Sequence, residues 1–315
     1  MTAPDVDVRK AGRRTTTAVL ALVGVTAVWG STFPISKDLL TRLPVADYLA
    51  LRFLVAAAVV GLARPSALRR IDRRVLRLGV ALGLCYSIGQ ALQFSGLPHT
   101  AATVSAFVVS MYVVITPLFA AVLLRTPPRP STLVATGLAT VGVAAMSLRG
   151  WSLGVGEALT LASAALYALH ILGLSRWSTA RTAFQLTFVQ LLSIGVSCLV
   201  WSAHDGVQLP GRADLPGFLY LSVVAGAGAM LVQTWAQSRV ASAPAAVVMV
   251  LEPVWAAFFG VVLWREPLDA RTLLGGALVV GATLLVVVAS RRGAVAASGA
   301  ADAAGVGAVP RADDG

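Results

Sequence analysis

The run from Leu78 to Leu124, LGVALGLCYSIGQALQFSGLPHTAATVSAFVVSMYVVITPLFAAVLL, decides the fold. It contains no Asp, Glu, Lys or Arg. One helix needs roughly 20 apolar residues to cross about 30 Å of hydrocarbon, so the run has the length of two crossings. The punctuation between them is Gly96-Leu97-Pro98-His99-Thr100, where glycine and proline favour a turn. Hydrocarbon offers backbone amides no partner, so each crossing must satisfy its own hydrogen bonds. The run is too long for barrel strands and reads as two helices.

Residues 15–36 are likewise free of charge. Continuing outward in both directions predicts an all-α membrane protein with ten transmembrane helices, near 16–36, 46–63, 75–95, 101–124, 131–149, 154–174, 183–203, 215–236, 242–264 and 271–290. Composition agrees: 57% of residues are hydrophobic and 12% charged, with a mean hydropathy of +0.81. A soluble domain carries about 25% charged residues, and this chain has too few to cover a water-facing surface. Residues 1–14 read as an N-terminal cytoplasmic tail and 291–315 as a disordered cytoplasmic C-terminal tail. The first apolar run follows Arg13-Arg14 but lacks a small-x-small cleavage site, so it reads as an uncleaved first helix.

The net charge of +11 does not point to nucleic acid, because the basic residues sit in short clusters between apolar spans. With the N-terminus inside, eighteen basic residues fall on the inner side, six of them from Arg64 to Arg77. Six fall outside: Lys37, Arg42, Arg149, Arg212, Arg265 and Arg271. That bias places both termini in the cytoplasm of a multi-pass protein of the cytoplasmic membrane. Cys85 and Cys198 lie in apolar spans and read as small core side chains. His99, His170 and His204 are scattered and show no metal spacing. The only lysines, Lys10 and Lys37, follow Arg and Ser, so no phosphate-binding Gly-Lys loop is present and no cofactor motif appears. An ATP-driven pump and an enzyme are thereby disfavoured.

The chain repeats itself. Arg125-Thr126-Pro127 and Thr132-Leu133 recur, at an offset of 140, as Arg265-Glu266-Pro267 and Thr272-Leu273. Thr116-Pro117-Leu118-Phe119-Ala120-Ala121 matches Glu252-Pro253-Val254-Trp255-Ala256-Ala257 at an offset of 136, about one helical turn less. Five spans per half is an odd number, so the second half must enter from the opposite face. Two inverted five-helix repeats, 15–149 and 150–290, give two interconvertible arrangements of one bundle, which is the basis of alternating access.

The residues Trp29-Gly30-Ser31-Thr32-Phe33-Pro34, Leu51-Arg52-Phe53, Gln93-Phe94-Ser95-Gly96-Leu97 and Phe107 to Pro117 resemble the first half of an EamA-like transporter. Ala236-Gln237-Ser238-Arg239-Val240, Leu251-Glu252-Pro253 and Trp264-Arg265-Glu266-Pro267 resemble the second half. The resemblance, over about residues 18–290, is to the EamA-like branch of the drug/metabolite transporter superfamily. It implies ten helices in two repeats, a central cavity and export or exchange of small metabolites, amino acids or drugs. One departure is Thr126, where the family often has an acid; Glu266 keeps it in the second half.

Charged and polar groups inside the spans are the candidates for the transport path. A charge at the bilayer centre costs about 2.5–3.5 kcal/mol on insertion scales, so it has a partner or a task. Glu252 lies near the middle of the ninth span, where Pro253 frees a backbone carbonyl one turn earlier, and can bind a proton or a cation. Arg52 lies about two turns into the second span. It either pairs with Glu252 across the cavity, holds an anionic group of the substrate, or snorkels to the outer interface. Trp29, Gln90, Gln93, Tyr112, Tyr167, His170, Gln233 and Trp235 complete the candidates, with helix breaks expected at Pro34, Pro117 and Pro253. Glu157 is expected to complement a helix N-terminus, and Gly79 and Gly83 to allow close helix packing. Besides lipid and a small-molecule substrate, protons are an expected partner; a homodimer is left open by the sequence. The alternative is a channel, a scaffold or another non-transporting membrane protein. Counterflow in proteoliposomes separates these, because only a carrier exchanges labelled substrate.

Overall fold

The computed structural model describes residues 3–69, 71–123, 125, 130–149, 152–179, 181–203, 206–237, 248–249, 251–285 and 288. Helices α1 (Ala3–Leu39), α2 (Val45–Ala63) and α3 (Arg73–Gly96) come first. Two pieces, α4 (Ala102–Val109) and α5 (Tyr112–Leu123), form the span Ala102–Leu123. Then follow α6 (Pro130–Ser147), α7 (Val155–Trp177) and α8 (Ala183–Ser202). Helix α9 (Leu215–Leu219) runs through a π-helical stretch, Tyr220–Gly228, into α10 (Ala229–Gln237). The last two are α11 (Leu251–Trp264) and α12 (Ala270–Leu285). Leu148–Arg149 and Ser152–Leu153 form a two-residue antiparallel ribbon between α6 and α7.

Among the described residues, seven of the expected spans are helices long and apolar enough to cross a membrane. The other three appear as shorter apolar helices, Leu133–Met146, Leu251–Trp264 and Ala270–Leu285. The start expected for the ninth span, the 291–315 tail, Arg239, His204, Thr126 and Pro127 lie outside the described residues. Leu62, Val122 and Val200 are 79%, 74% and 72% exposed on the outside of the bundle. An apolar exterior of this kind suits lipid rather than water.

Helix α1 runs from Ala3, and its apolar span begins at Thr17, after the segment read as an N-terminal tail. Three expectations need correction. Pro34 does not break α1, and Pro117 does not break α5. Each proline removes one helical hydrogen bond, and helices inside a bundle absorb that loss through packing and nearby hydroxyls. Thr32 Oγ1 donates to Trp29 O at 2.7 Å and Thr116 Oγ1 to Tyr112 O at 2.6 Å, in the same turns as, but not to, the Gly30 and Val113 carbonyls that the prolines leave open. The break in the fourth span falls instead at Ser110–Met111, where Ser110 Oγ donates to Phe107 O and Met111 N turns back to Val108 O. Pro253 is the third residue of α11 and the helix continues through it.

The bundle is assembled from a few long contacts. Helix α1 packs along α11, α2 along α8, and α3 along both α7 and α8. Helix α7 packs against α4 and α5, and the π-helical stretch and α10 pack against α1. Small residues allow the close crossings. A Cβ on Gly79 would lie 2.6 Å from Val189 Cγ1, and one on Gly83 would lie 2.8 Å from Ser193 Cβ, as expected for close packing of α3 on α8. At Gly30 a Cβ would meet Trp255 Cβ at 2.5 Å and the backbone of Ala256 and Glu252 at 2.8 and 2.9 Å. Backbone cannot give way, so Gly30→Ala should lower stability by about 1–3 kcal/mol. Gly24→Ala, with open space around it, should be neutral or stabilising. Thermal melts of the two variants in detergent check the contrast.

Candidate functional site

Arg52 is buried on α2, at 7% exposure, so it does not snorkel to the interface. Its guanidinium stands 5.5–5.7 Å from the ring centres of Tyr48, Phe53 and Phe94. Nε donates to Leu221 O at 3.3 Å and Nη1 to the Tyr48 hydroxyl at 2.8 Å, which shares a 2.7 Å bond with Ser36 Oγ. Among the described residues no carboxylate comes within 4.0 Å of Arg52. The expected direct pair with Glu252 is therefore absent.

The π-helical stretch holds this end of the site. It accepts from Arg52 at Leu221 O and from Trp29 Nε1 at Ala225 O, 3.0 Å away. Ser31 Oγ meets the Tyr220 hydroxyl at 2.7 Å. A π turn widens the helix and redirects its carbonyls, and such turns recur at functional sites. Trp29 is thus pinned to the wall by its indole N–H.

Tyrosines connect Arg52 to Glu252. The Tyr86 ring lies 6.5 Å from Phe53, 4.9 Å from Tyr167 and 4.8 Å from His170. Arg52 and Glu252 both interact electrostatically with Tyr86 and Tyr167, and Glu252 also with Tyr112. Glu252 and Tyr112 line a cavity of about 10 Å³ with Ala106, Ser110, Pro253 and Thr283. That is room for about one water. Among the described residues Glu252 has no ion-pair partner. The indole N–H of Trp255, one turn along α11, is buried and has no hydrogen-bond partner among the described residues.

The other candidates divide. Gln90 Nε2 donates to the Tyr167 hydroxyl, which donates to Gln93 Oε1, both at 2.6 Å. His170 is bonded to Gln190 Oε1 at 2.6 Å and so is held between helices. Gln233 and Trp235 lie on α10, which packs on α1 and the π-helical stretch, with Trp235 40% exposed. Tyr86 was not among the candidates, although it sits one helical turn before Gln90 on the same face of α3, and that spacing is the signal that marks it.

A second polar assembly closes the bundle end that carries Lys37. Glu266, in the loop after α11, caps the N-terminus of α4 from another part of the chain. Oε1 accepts from Ala102 N at 2.8 Å, and Oε2 accepts from Thr103 N at 3.1 Å and Thr103 Oγ1 at 2.9 Å. Such a carboxylate satisfies amides that a helix N-terminus leaves open and meets its positive dipole end. Gly260 makes room, since a Cβ there would lie 2.9 Å from Glu266 Oε2. Lys37 Nζ stands 3.7 Å from Glu266 Oε1 and donates to Thr100 O at 2.6 Å. Thr100 Oγ1 donates to Glu157 Oε1 at 2.7 Å, so Glu157 works in the first turn of α7 as a link in the same chain. Arg42 bridges Asp38 and Asp214, which raise its pKa. Asp47, buried at the start of α2, accepts from Ser202 Oγ and from Gln208 N. Asp269 caps α12, and its bonds with Thr272 hold its carboxyl below the usual carboxylate range. Asp269 and Asp38 have partners three and four residues away, but the partners of Glu266, Glu157, Asp47 and Asp214 come from distant segments and carry no local sequence signal.

Arg125 and Arg265 share a further feature. Both are non-glycine residues with φ of 53°, at the ends of α5 and α11. They are the residues related by the 140-residue offset.

Comparison with known proteins bears on this arrangement. The model of the EamA-like transporter family matches twice, over residues 16–148 and 154–288. An uncharacterized transporter from Archaeoglobus fulgidus is 28% identical over 275 residues, covering 85% of each chain. A crystal structure of a protein 19% identical in sequence superposes with a TM-score of 0.64, covering 88% of this chain and 98% of the other, a likeness of fold.

Proposed function

The chain belongs to the EamA-like transporter family, within the drug/metabolite transporter superfamily, and from that premise we propose that it is a proton-coupled exporter of small amphoteric solutes. Cargo binds with its anionic group at Arg52, its cationic group at Glu252 and its body against Tyr86, Tyr112 and Tyr167. The observation that carries this reading is two opposite charges inside the bundle, Arg52 buried and Glu252 half-buried, that both act electrostatically on Tyr86 and Tyr167 without pairing with each other. A direct ion pair would neutralise both, whereas two separated charges are each completed by a molecule bearing both signs. Glu252 is loaded by a proton or by the cargo's cation, never by both, and that exclusion couples the two fluxes.

The chain crosses the cytoplasmic membrane ten times, as two inverted repeats with both termini inside. Support comes from reciprocal packing. Helix α1 on α11 mirrors α7 on α4 and α5, and α3 on α7 mirrors the π stretch and α10 on α1. The shared left-handed backbone at Arg125 and Arg265 supports the same correspondence. Cysteines at positions 125 and 265 should label from opposite compartments; labelling of both from one side overturns the inverted arrangement.

In this orientation the Lys37–Glu266 assembly closes the outer gate. The inner counterpart of Glu266 is Thr126, which cannot form a carboxylate cap. The two gates are therefore held with unequal strength. Glu266→Ala removes charge-assisted bonds worth about 1.5–3 kcal/mol, which shifts the closed-to-open equilibrium of the outer gate roughly 10- to 100-fold. A cysteine at Ala106 in the cavity should then label faster from the outer side by a comparable factor. An unchanged rate means that Glu266 only stabilises the fold. Transport itself is tested by counterflow in proteoliposomes, in which labelled amino acid accumulates against unlabelled amino acid trapped inside.

A further inference from the structure

Gln90 is a buried polar residue on α3 whose amide is only half used. Its Nε2 donates to the Tyr167 hydroxyl, and Tyr167 donates its single proton to Gln93 Oε1. The Tyr167 oxygen is left as an acceptor, so Gln90 must present nitrogen to it and turn Oε1 away. That Oε1 is enclosed and, among the described residues, has no hydrogen-bond partner. An enclosed acceptor with no donor carries its full desolvation penalty, and a core built for stability alone would hold an apolar side chain there.

The surroundings show what the atom is for. Tyr86 and Phe94 stand four residues before and after Gln90, on the same face of α3. The Phe94 ring carries the Arg52 guanidinium, and the Tyr86 ring packs on Tyr167. Gln90 therefore sits in the wall between the Arg52 end of the site and the tyrosines that Glu252 also faces.

We propose that Gln90 Oε1 is the specificity contact of the transport site, accepting a hydrogen bond from an uncharged donor on the cargo, a hydroxyl or an amide N–H. This rests on the reading that cargo binds between Arg52 and Glu252. Tyr167 and Gln93 are positioning residues that fix the amide's direction. A cargo without the donor leaves Oε1 unpaired, and sites of this design reject such analogues more strongly than an apolar pocket discriminates size.

Two measurements decide it. In counterflow, threonine against valine and tyrosine against phenylalanine differ by one hydroxyl within each pair. Wild-type protein should favour the hydroxylated member of a pair it exchanges by about tenfold or more, and Gln90→Leu should bring the ratio to within about twofold of unity. A ratio unchanged by Gln90→Leu, or no preference in the wild type, overturns the proposal. Separately, Gln90→Cys in a background with Cys85→Ala and Cys198→Ala is treated in proteoliposomes with a cationic methanethiosulfonate reagent. Labelling is expected, because the proposal has position 90 open to the transport path as the carrier cycles; a cysteine that never reacts is packed between helices and overturns the proposal. If the wild type exchanges none of the four amino acids, the amphoteric-cargo reading fails, and the labelling result still decides whether Gln90 faces the path.

Discussion

Glu252→Gln should lower proton-driven uptake into inverted vesicles by about 100-fold or more, and the residual transport should no longer depend on pH between about 6 and 8. Glutamine keeps the size of the side chain and can still donate and accept, so packing on α1 and α5 changes little. In the proposed coupling, what it loses is the ability to exchange a proton for the cargo's positive group. A carboxylate left charged and unpaired at this depth costs about 2.5–3.5 kcal/mol on insertion scales. A proton or a bound cation removes that cost, and either one excludes the other. A 100-fold loss corresponds to about 2.8 kcal/mol, comparable with the whole of that cost. Vesicle uptake driven by an imposed pH gradient reads the result directly. Full driven uptake by Glu252→Gln would remove Glu252 from the coupling mechanism and leave it as part of the α1–α11 contact.

Arg52→Gln should raise the KM for an amino-acid cargo by about 100-fold, and Arg52→Lys by about tenfold. The guanidinium is held by three rings and two hydrogen bonds, and its planar form suits both. Lysine keeps the charge but not the fork, so it binds a carboxylate as a point charge without the bidentate geometry. The control is a cargo whose carboxylate is blocked as a methyl ester. Its transport should be weak in the wild type and no weaker in Arg52→Gln. An equal loss for acid and ester would show that Arg52 supports the Tyr48–Leu221 contacts rather than meeting the cargo. Neither substitution should act through loss of an ion pair with Glu252, because no such pair exists in the bundle.

Helix positions were legible in the sequence because hydrocarbon imposes a local rule, that a stretch of about 20 residues must carry few charges. Leu78–Leu124 could therefore be divided at Gly96–Thr100 without knowledge of its neighbours, and the structure ends α3 there. The repeat was legible for the same reason, as a match between Arg125-Thr126-Pro127 and Arg265-Glu266-Pro267. Arg52 and Glu252 stood out because charges are rare in such spans. The prolines misled: Pro34 and Pro117 interrupt one hydrogen bond each, and packing against neighbouring helices decided that α1 and α5 run on through them.

Residue chemistry and spacing along the chain thus determined which segments are helices, that the halves are related and which charges lie mid-span. Tertiary structure alone decided what each polar group meets. Glu266 caps a helix more than 160 residues earlier in the chain, Trp29 bonds to Ala225, and the unpaired oxygen of Gln90 follows from how Tyr167 uses its one proton. Hydropathy is a property of a short window, whereas the partner of a buried donor or acceptor depends on which helix lies alongside it and at what height.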